Sequence, residues 1–305
     1  MNVKRYLMIV LCVLGVCLAV LSGVIVASKH IATLPGIDPS EVVELPKASK
    51  SRANILVMGL DNDSLHTDTI MLFSLDNINK KVSVLSIPRD TRIVFDGQYD
   101  KINHLYGYKG NEENTIQAVT QITGIPIHYY AVVNFVGFRN IIDILGGVEF
   151  DVPNVNNTGG MFYNDPVQNL KISLKAGPQR LSGKQAEGLV RFRSGYPEAD
   201  LGRIKMQQQF VKELIKQKLQ LRYITKAAEI YNEVVKSTKT NYTLSDAAYH
   251  AVIAKSIDTE NVETFSLPGT DGQAYTRYGY LSCYIYNNSQ TEEIIKSHFS
   301  TPAVE

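Results

Sequence analysis

Polar side chains that suit an anion recur at regular spacing in the stretch VRFRSGYPEADLGRIKMQQQF. Arg191 and Arg193 lie two residues apart, so a strand here would direct both side chains to one face. In the helix predicted next, Asp200, Arg203 and Gln207 fall at i, i+3 and i+7 and share one face. Because the forked donors of arginine match phosphate oxygens, this strand–loop–helix favours an anion with several oxygens. Surface arginines in salt bridges would give the same pattern, and both interpretations stay open.

Two carboxylates form a second group of chemical interest. Asp61 and Asp68 flank the short loop between the first two predicted strands. A turn that brings them together would let them share a hard divalent cation such as Mg²⁺, which takes oxygen ligands and usually keeps several waters. Aspartate is also common in loops because its side chain stabilises turns, so turn chemistry is the competing interpretation.

Two further clusters follow along the chain. Arg89 and Asp90 end the third predicted strand, and Arg89 would face the same rim as the carboxylates if the strands are parallel neighbours. An Arg–Asp pair that closes the strand is the alternative. Lys101 and Asn103 stand two residues apart in the segment KIN, where they could bind phosphate or sugar hydroxyls or lie in a solvated loop.

The elements that must position these residues are predicted from apolar runs. NILVMGLD, TDTIMLFSLD and KVSVLSIPRD are predicted to be buried strands, and Tyr129–Phe135 is predicted to be another strand. Helices are predicted at Asn111–Ile122, at Phe138–Leu145 before a glycine pair, and at Ser182–Leu189 with a capping box. This alternation favours an α/β domain with a mixed sheet, while the Asn-, Gly- and Pro-rich segment Asp151–Leu174 predicts loops or a hairpin.

The N-terminus carries a predicted membrane anchor. Leu7–Ala27 is almost uninterruptedly apolar, and at about 1.5 Å per residue it just crosses a bilayer core of roughly 30 Å. Basic residues precede it, which places residues 1–6 in the cytoplasm and the rest of the chain outside. A cleaved signal peptide is the alternative, but its apolar core is normally only about 7 to 15 residues long. We predict a linker at 28–52 and a folded domain with a C-terminal extension at 53–305.

Composition narrows the functional classes. The chain has 305 residues, a net charge of +1 and 20% charged residues, so neither bulk nucleic-acid binding nor a polybasic tail is indicated. Two of the three cysteines belong to the predicted span and Cys283 stands alone beyond it, which excludes an intrachain disulfide and a cysteine-based zinc site there. Tyrosine, at 17 residues, outnumbers phenylalanine at 10, which is compatible with sugar or interface contacts.

Taken together and in this order, the clusters closely resemble the catalytic domain of the LytR-CpsA-Psr family. Single motifs are weak, but so many in one order make the match specific. The correspondence covers about Asn54–Leu214 and includes NILVMGLD, TDTIMLFSL, VSVLSIPRDT, KINHLYGYKG, GIPIHYYAVVNFVGF, LGGVEFDVP, LSGKQAEGLVRFR and DLGRIKMQQQF.

The resemblance implies a fold and a function. Family members are membrane-anchored phosphotransferases of mainly Gram-positive bacteria, with a three-layer α/β/α domain, a central mixed sheet and an apolar tunnel for lipid. They move a glycopolymer, such as teichoic acid or capsular polysaccharide, from an undecaprenyl-pyrophosphate carrier to peptidoglycan outside the cell. We therefore expect a single-pass membrane enzyme with an extracellular catalytic domain. Its expected partners are the carrier-linked glycopolymer, peptidoglycan and membrane lipid, with no nucleic acid.

The resemblance also assigns roles by position. It matches Asp61 and Asp68 to the family's Mg²⁺-associated acids, with another divalent cation as the alternative. Asp200 and Gln207 match other polar site positions, and Lys101 matches the KIN lysine. The positions that match pyrophosphate-binding arginines are Arg89, Arg191, Arg193 and Arg203.

Two positions depart from the family pattern. His66 stands where the family often has arginine, two residues before the second acid, and a histidine there could still donate a hydrogen bond. Met206 stands where the family's helix usually has arginine. One cation is therefore missing from the usual helix set, which bears on the tightness of carrier binding.

The expected reaction is phosphoryl transfer. Mg²⁺ at the two acids and the four arginines would clamp the pyrophosphate, a peptidoglycan hydroxyl would attack the glycan-side phosphorus, and undecaprenyl phosphate would leave. Asp90 or Asp200 would orient or deprotonate the hydroxyl, and the sequence does not choose between them. The predicted substrate-binding residues are His66, Lys101, Asn103 and Gln207.

Three rival functions use the same residues. A lipid-pyrophosphate hydrolase would use water as its acceptor. A wall- or lipid-sensing module that has lost catalysis would bind the carrier without turnover. A regulator of cell-envelope gene expression is the third, although an extracellular domain that is not basic and shows no helix-turn-helix argues against direct DNA binding.

Overall fold

The computed structural model describes residues 45–61, 65–108, 111–166, 170–196, 200–218, 227–254, 256–257 and 261–300. The predicted membrane span at Leu7–Ala27, the residues before it and most of the predicted linker lie outside the described residues. Among the residues that the structure does describe, no helix is both long and apolar enough to cross a membrane.

The described residues form strands and helices in alternation. The strands are β1 (Arg52–Leu60), β2 (Thr67–Asp76), β3 (Lys81–Ile87), β4 (Arg92–Phe95), β5 (Gln98–Lys101), β6 (Tyr129–Val133), β7 (Val148–Val152), β8 (Gly160–Asp165), β9 (Leu170–Lys175), β10 (Gly177–Leu181), β11 (Thr238–Thr240), β12 (Val262–Ser266), β13 (Gly269–Thr276) and β14 (Gly279–Tyr286). The α-helices are α1 (Glu112–Thr123), α2 (Phe135–Ile144), α3 (Gly183–Arg191), α4 (Asp200–Lys218), α5 (Ala227–Ser237), α6 (Leu244–Ala254) and α7 (Asn288–His298). Ile102–Gly107 and Val155–Asn157 are 3-10 helices.

The central sheet has the strand order β11–β6–β1–β2–β3–β12. β1 pairs antiparallel with β2, and β2 with β3, whereas β1–β6 and β3–β12 are parallel pairs. The predicted α/β fold with a mixed central sheet is therefore confirmed. The first three strands are not the parallel neighbours on which the predicted placement of Arg89 was conditional, because short loops join them and short loops can connect only antiparallel neighbours.

Helices cover both faces of this sheet. On one face, Leu72 of β2 belongs to the same buried cluster as Val119 of α1. On the other face, Met71 of the same strand lies in a cluster that Val211 and Ile215 of α4 join. Because successive side chains of a strand point to opposite faces, neighbouring residues of β2 serve two different layers of the core.

Local sequence signals explain where the second helix begins and ends. α2 starts at Phe135 rather than at the predicted Phe138, because the Asn134 side chain accepts a hydrogen bond of 2.8 Å from Gly137 N and caps the helix. Gly146 and Gly147 both have a φ of 75°, which stops the helix as predicted. The segment predicted as loops or a hairpin contains the β8–β9 hairpin.

The stretch around Arg191 is the main correction to the sequence interpretation. It is not a strand, because α3 continues through Arg191 and the chain then crosses a loop to α4. Ser182 and Gln185 form the predicted capping box, and the buried Leu189 continues the apolar side of α3. Phe192 is buried and extended, and it ends the helix. The two arginines of RFR are therefore not neighbours on a strand face.

The region after Leu221 contributes structural parts of the domain. β11 and β12 are the two edge strands of the central sheet, and Ile295 of α7 and Phe299 belong to the main core. β13 and β14 form a hairpin beside the β4–β5 hairpin, to which it is joined by a hydrogen bond of 3.0 Å from Arg277 N to Tyr99 O. The C-terminal part thus belongs to the same domain as the central sheet.

Candidate active site

Antiparallel pairing brings three predicted site residues to one edge of the central sheet. β1 and β2 meet at a shift in register, and Asp61 and Asp68 flank the loop there. In the next pair Ile70 lies opposite Ile87, so the antiparallel register carries Arg89 back to Asp68. The three residues meet because β2 begins where β1 and β3 end.

Asp68 lies between two arginines. Its Oδ1 accepts a hydrogen bond of 2.6 Å from Arg89 Nη1, and its Oδ2 lies 3.9 Å from Arg193 Nη2. All three side chains are partly exposed, and Arg193 is the most exposed of them at 45%. We call Asp61, Asp68, Arg89 and Arg193 the acid–arginine rim. It presents two guanidinium groups to solvent at one place, which suits an anion with several oxygens.

Asp61 is fixed by the loop that it opens. Its Oδ1 accepts hydrogen bonds from the backbone N–H groups of Leu65, at 3.1 Å, and His66, at 3.3 Å. Its Oδ2 lies 2.9 Å from His66 Nδ1. His66, at the position where the resemblance led us to expect an arginine, therefore contacts the first acid of the rim. These bonds hold the carboxylate at the end of β1.

The PRD and KIN segments form one network beside the rim. Lys101 Nζ donates to Asp90 Oδ1 at 2.9 Å, and Asp90 Oδ2 lies 3.8 Å from Arg89 Nε. Asn103 N donates to Arg89 O at 3.1 Å. The Asn103 side chain is buried, and its Oδ1 has no hydrogen-bond partner among the described residues. A buried acceptor of this kind needs a donor, so we expect a water or a substrate hydroxyl there.

Arg191 lies in a different setting, between α2 and α3. Its Nη1 donates to Glu187 Oε1 at 2.7 Å, and its guanidinium lies 4.2 Å from the centre of the Phe135 ring. Glu187 is buried, and its Oε2 also accepts a hydrogen bond of 2.6 Å from Arg139 Nη1. Glu187 and Arg191 both belong to α3, so Glu187 contacts α2 through Arg139, and Arg191 contacts α2 through the Phe135 ring. The predicted contact of Arg191 with pyrophosphate stays a prediction.

Helix α4 supplies polar side chains from inside the domain. Arg203 and Gln207 are both buried, and Gln207 Nε2 donates to Val190 O at 3.0 Å, which ties α4 to the end of α3. Asp200 begins α4, and the structure describes its backbone position only. Met206, where the resemblance led us to expect an arginine, is buried in an apolar cluster.

Sequence reasoning missed Glu187 and Tyr196. Glu187 stands four residues before Arg191, the spacing of a helical ion pair, and that spacing is the signal that would have found it. Tyr196 precedes α4, its hydroxyl is buried without a hydrogen-bond partner among the described residues, and burial raises its pKa to about 12. A Cβ atom added to Gly202 would lie 2.5 Å from Tyr196 Cβ, so this close approach requires the glycine of the DLGR motif.

The two acids of the rim can supply part of the ligand set of a metal ion, but not all of it. Among the described residues, no three His, Cys, Asp or Glu side chains are grouped to hold a metal. Asp61 and Asp68 offer two carboxylates at adjacent strand ends. Mg²⁺ is usually bound by one or two carboxylates together with substrate phosphates. The two acids therefore suit an ion whose remaining ligands come from a phosphate and from water.

Comparison with known proteins leads to one family. The profile of the LytR_cpsA_psr family matches residues 18–299. A relative from Bacillus cereus, the polyisoprenyl-teichoic acid–peptidoglycan teichoic acid transferase TagU, is 32% identical over 241 residues, which cover 77% of this chain and 75% of the relative. The transferase TagV of Bacillus subtilis, which carries the same description, is 30% identical over 241 residues, which cover 76% of this chain and 60% of the relative.

Solved structures agree with this match. The crystal structure of Bacillus subtilis TagV has a TM-score of 0.69 and 26% identity, and the match covers 82% of this chain and 96% of that chain. TagT bound to LIIa-WTA has a TM-score of 0.68 at 24% identity, covering 86% of this chain and 95% of that chain, which is a likeness of fold. With motifs, fold and profile in agreement over most of its length, the chain belongs to the LytR_cpsA_psr family.

Proposed function

We propose that this chain transfers a glycopolymer of the teichoic acid or capsular polysaccharide type from an undecaprenyl-pyrophosphate carrier to a peptidoglycan hydroxyl. The descriptions of TagU and TagV as polyisoprenyl-teichoic acid–peptidoglycan teichoic acid transferases support the proposal. The observation that carries it is the acid–arginine rim, where Asp68 lies between Arg89 and Arg193. A pyrophosphate offers the several acceptor oxygens that two guanidinium groups require.

Arg89 and Arg193 are the proposed clamp. Asp68 lies beside both guanidinium groups at the rim, and both groups are partly exposed. They would bind the pyrophosphate and neutralise the charge that develops on the leaving phosphate. We propose that Arg191 and Arg203 support this clamp from inside the domain, because both are more deeply buried than the rim arginines.

We propose that Asp61 and Asp68 hold Mg²⁺, or another divalent cation, together with the pyrophosphate oxygens. When bound, the ion supplies Lewis-acid stabilisation of the phosphoryl group that is transferred. The bonds from His66 and the loop amides keep the Asp61 carboxylate at the strand end. A carboxylate that is already oriented is suited to this role.

The proposed step forms one bond and breaks one. The acceptor oxygen bonds to the glycan-side phosphorus, and the bond from that phosphorus to the bridging oxygen breaks, so that undecaprenyl phosphate leaves. The hydroxyl proton passes to a carboxylate, and Asp90 and Asp200 are the two candidates. Lys101 and Arg89 orient Asp90. The substitutions Asp90→Asn and Asp200→Asn separate the candidates, because only the base variant loses transfer while it keeps donor binding.

We propose that Leu7–Ala27 anchors the chain in the cell membrane, with the N-terminus in the cytoplasm and the catalytic domain outside. The almost uninterrupted apolar length and the preceding basic residues support this placement. An anchored domain would meet its lipid carrier in the same membrane. The rim would then work at the outer surface, where peptidoglycan lies.

The test uses the full chain in lipid nanodiscs with a short prenyl-pyrophosphate glycan, labelled in the glycan, and a peptidoglycan fragment. We expect label on the peptidoglycan and release of prenyl phosphate, both dependent on added Mg²⁺. Release that is equally fast without the acceptor would show a hydrolase instead. Bound donor without turnover would support a sensing module, and transfer that survives chelation of divalent cations would overturn the proposed metal.

A further inference from the structure

Among the described residues, three of the four most exposed large hydrophobic side chains are tyrosines of one hairpin. We call Gly269–Tyr286, which contains β13 and β14, the tyrosine hairpin. Tyr275, Tyr278 and Tyr280 are 77%, 58% and 57% exposed. Large apolar rings that stay in water usually mark a binding surface, and tyrosine combines an apolar face with a polar hydroxyl. The chemistry described above for the acid–arginine rim does not use these rings.

The rings have fixed positions relative to each other. Tyr275 lies directly opposite Tyr280 in the β13–β14 pair, so the two side chains share one face of the hairpin. Their ring centres are 4.7 Å apart, and the ring planes are inclined by 48°. On the other face, Ala274 and Cys283 are buried, which fixes the hairpin on the domain. The two tyrosines therefore present a preformed aromatic surface.

This surface is continuous with the candidate active site. The Tyr278 and His104 rings form a T-shaped pair with their centres 5.3 Å apart. The His104 and His66 rings form a second T-shaped pair with their centres 5.6 Å apart. His66 Nδ1 lies 2.9 Å from Asp61 of the rim. A second link is the hydrogen bond of 2.8 Å from Tyr284 N to Asp90 O. A chain-like ligand on the hairpin would thus extend toward the reacting groups.

The contacts that hold Tyr278 are polar. Its hydroxyl oxygen lies 2.8 Å from that of Tyr108, which donates a hydrogen bond of 2.7 Å to the buried Asp100. Burial and these bonds raise the pKa of Tyr108 far above its ordinary value, so its hydroxyl keeps its proton. Asp100 also lies 2.8 Å from His104 Nδ1. This network orders the rings that connect the hairpin to the rim.

The charge of the hairpin indicates the chemistry of its ligand. Gly269–Tyr286 contains one acid, Asp271, and one base, Arg277, so its formal net charge is zero. A phosphate-linked polymer needs a cluster of cations, which this segment does not contain. Binding in the plane of an anionic membrane likewise favours several basic residues. A chain of pyranose rings has apolar C–H faces that can stack on tyrosine rings. Its hydroxyl groups can also accept hydrogen bonds from the tyrosine hydroxyls.

We propose that the tyrosine hairpin binds the glycan strand of the peptidoglycan acceptor and directs it toward the acid–arginine rim. Tyr275 and Tyr280 would stack on the sugar rings, and Tyr278 would carry the strand toward His104. This inference rests on the proposed transfer to peptidoglycan. It names the surface that holds the acceptor, whereas the rim holds the donor.

The test measures binding and transfer by the full chain in nanodiscs with soluble, uncrosslinked peptidoglycan glycan strands. In the double variant Tyr275→Ala and Tyr280→Ala, we expect the Kd for these strands and the acceptor KM to rise about tenfold, because both stacking rings are removed. The Kd for a short prenyl pyrophosphate should stay unchanged. The matched control is Tyr249→Ala, an exposed tyrosine of α6, which should leave both Kd values as in the wild type.

Each contrary outcome identifies a different error. An unchanged Kd for glycan strands in the double variant would overturn the inference. A variant that loses binding only to phosphatidylglycerol vesicles would make the hairpin a membrane contact, and a change in oligomeric state alone would make it a contact between copies. Wild type that binds glycan strands through the hairpin but does not transfer would refute the proposed function and leave the inference standing.

Discussion

Arg191 and Arg193 stand two residues apart, but they lie in two different regions of the molecule. The side chain of Arg191 is 11% exposed and is bound at 2.7 Å to the buried Glu187. The side chain of Arg193 is 45% exposed and faces Asp68 at 3.9 Å, within the acid–arginine rim. One guanidinium is part of the packing between helices, and the other is presented to solvent beside a carboxylate and a second arginine.

The contrast separates two uses of the same residue type. A buried arginine with a short bond to a buried acid stabilises the fold, because each partner compensates the charge of the other. An exposed arginine in a long ion pair contributes little to stability, and its guanidinium can orient toward an anion. The comparison therefore predicts that rim variants lose activity, whereas variants of the buried pair lose stability.

The largest expected effect comes from Arg89→Ala. Arg89 is bound to Asp68 at 2.6 Å and is the rim arginine with the shortest contact. Loss of one electrostatic donor to the transition state typically costs about 10²–10³ in rate, and we expect transfer to fall by that factor. Prenyl phosphate release by the full chain in nanodiscs measures it. The control is Arg180→Ala, an exposed surface pair with Glu149, which should keep its rate.

The second effect, of about 10² in transfer rate, is expected for Arg193→Ala. Because the exposed Arg193 contributes little to folding, the free energy of unfolding should change by less than about 0.5 kcal/mol. Urea unfolding monitored by circular dichroism measures the stability of the variant, and the transfer assay measures its activity. Loss of several kcal/mol of stability in this variant would erase the contrast between the two arginines.

The third effect concerns stability. In Arg191→Ala the buried Glu187 keeps Arg139 but loses one of its two cationic partners, so we expect the free energy of unfolding to fall by about 2–3 kcal/mol. The same urea experiment measures it, with Arg180→Ala as the exposed control. A variant with full stability and no transfer would instead place Arg191 at the substrate, as the sequence interpretation had it.

The smallest effect extends the contrast to a second buried pair. Arg52 Nη2 donates to Asp76 Oδ2 at 2.6 Å. Burial alone would raise the pKa of Asp76, but hydrogen bonds from Asn79 and the charge of Arg52 outweigh it, and the pKa is lowered. A carboxyl whose folded pKa lies below its unfolded value of about 3.9 adds stability above that pH and loses it as pH falls further.

Asp76→Asn tests this linkage. We expect the variant to lose about 1–2 kcal/mol of stability at pH 7 and to show a weaker fall in stability below about pH 4 than the wild type. Unfolding by urea at pH 7, 4 and 3 measures the difference. Equal slopes in the two proteins would show that another group governs the loss in acid.

Much of the fold follows from local sequence signals. The runs that became β1, β2 and β3 are long and apolar enough to identify buried strands, and the capping box at Ser182 fixes the start of α3. The predicted end of α3, Leu189, is two residues early. Arg191 and Arg193 fit a strand period of two equally well, and only the continued packing of the helix to Phe192 decides between the two structures.

The sequence predicted only some of the contacts between the candidate site residues, because most of these contacts join distant parts of the chain. Asp68 and Arg89 meet because two short loops fix an antiparallel register, which the sequence interpretation had not assumed. Glu187 carries a local signal, the helical spacing to Arg191, but its second partner Arg139 lies 48 residues away in the chain. The contact of Tyr196 with Gly202 depends on how α4 approaches the preceding loop, which no residue pattern reports.

The central claim, that the acid–arginine rim binds the pyrophosphate of the carrier, is tested most directly by a crystal structure with a short prenyl pyrophosphate and Mg²⁺. We expect the two phosphates within hydrogen-bond distance of Arg89 and Arg193, with the ion held by the carboxylates of Asp61 and Asp68. A pyrophosphate bound elsewhere, with Arg89 and Arg193 still paired only to Asp68, would contradict it.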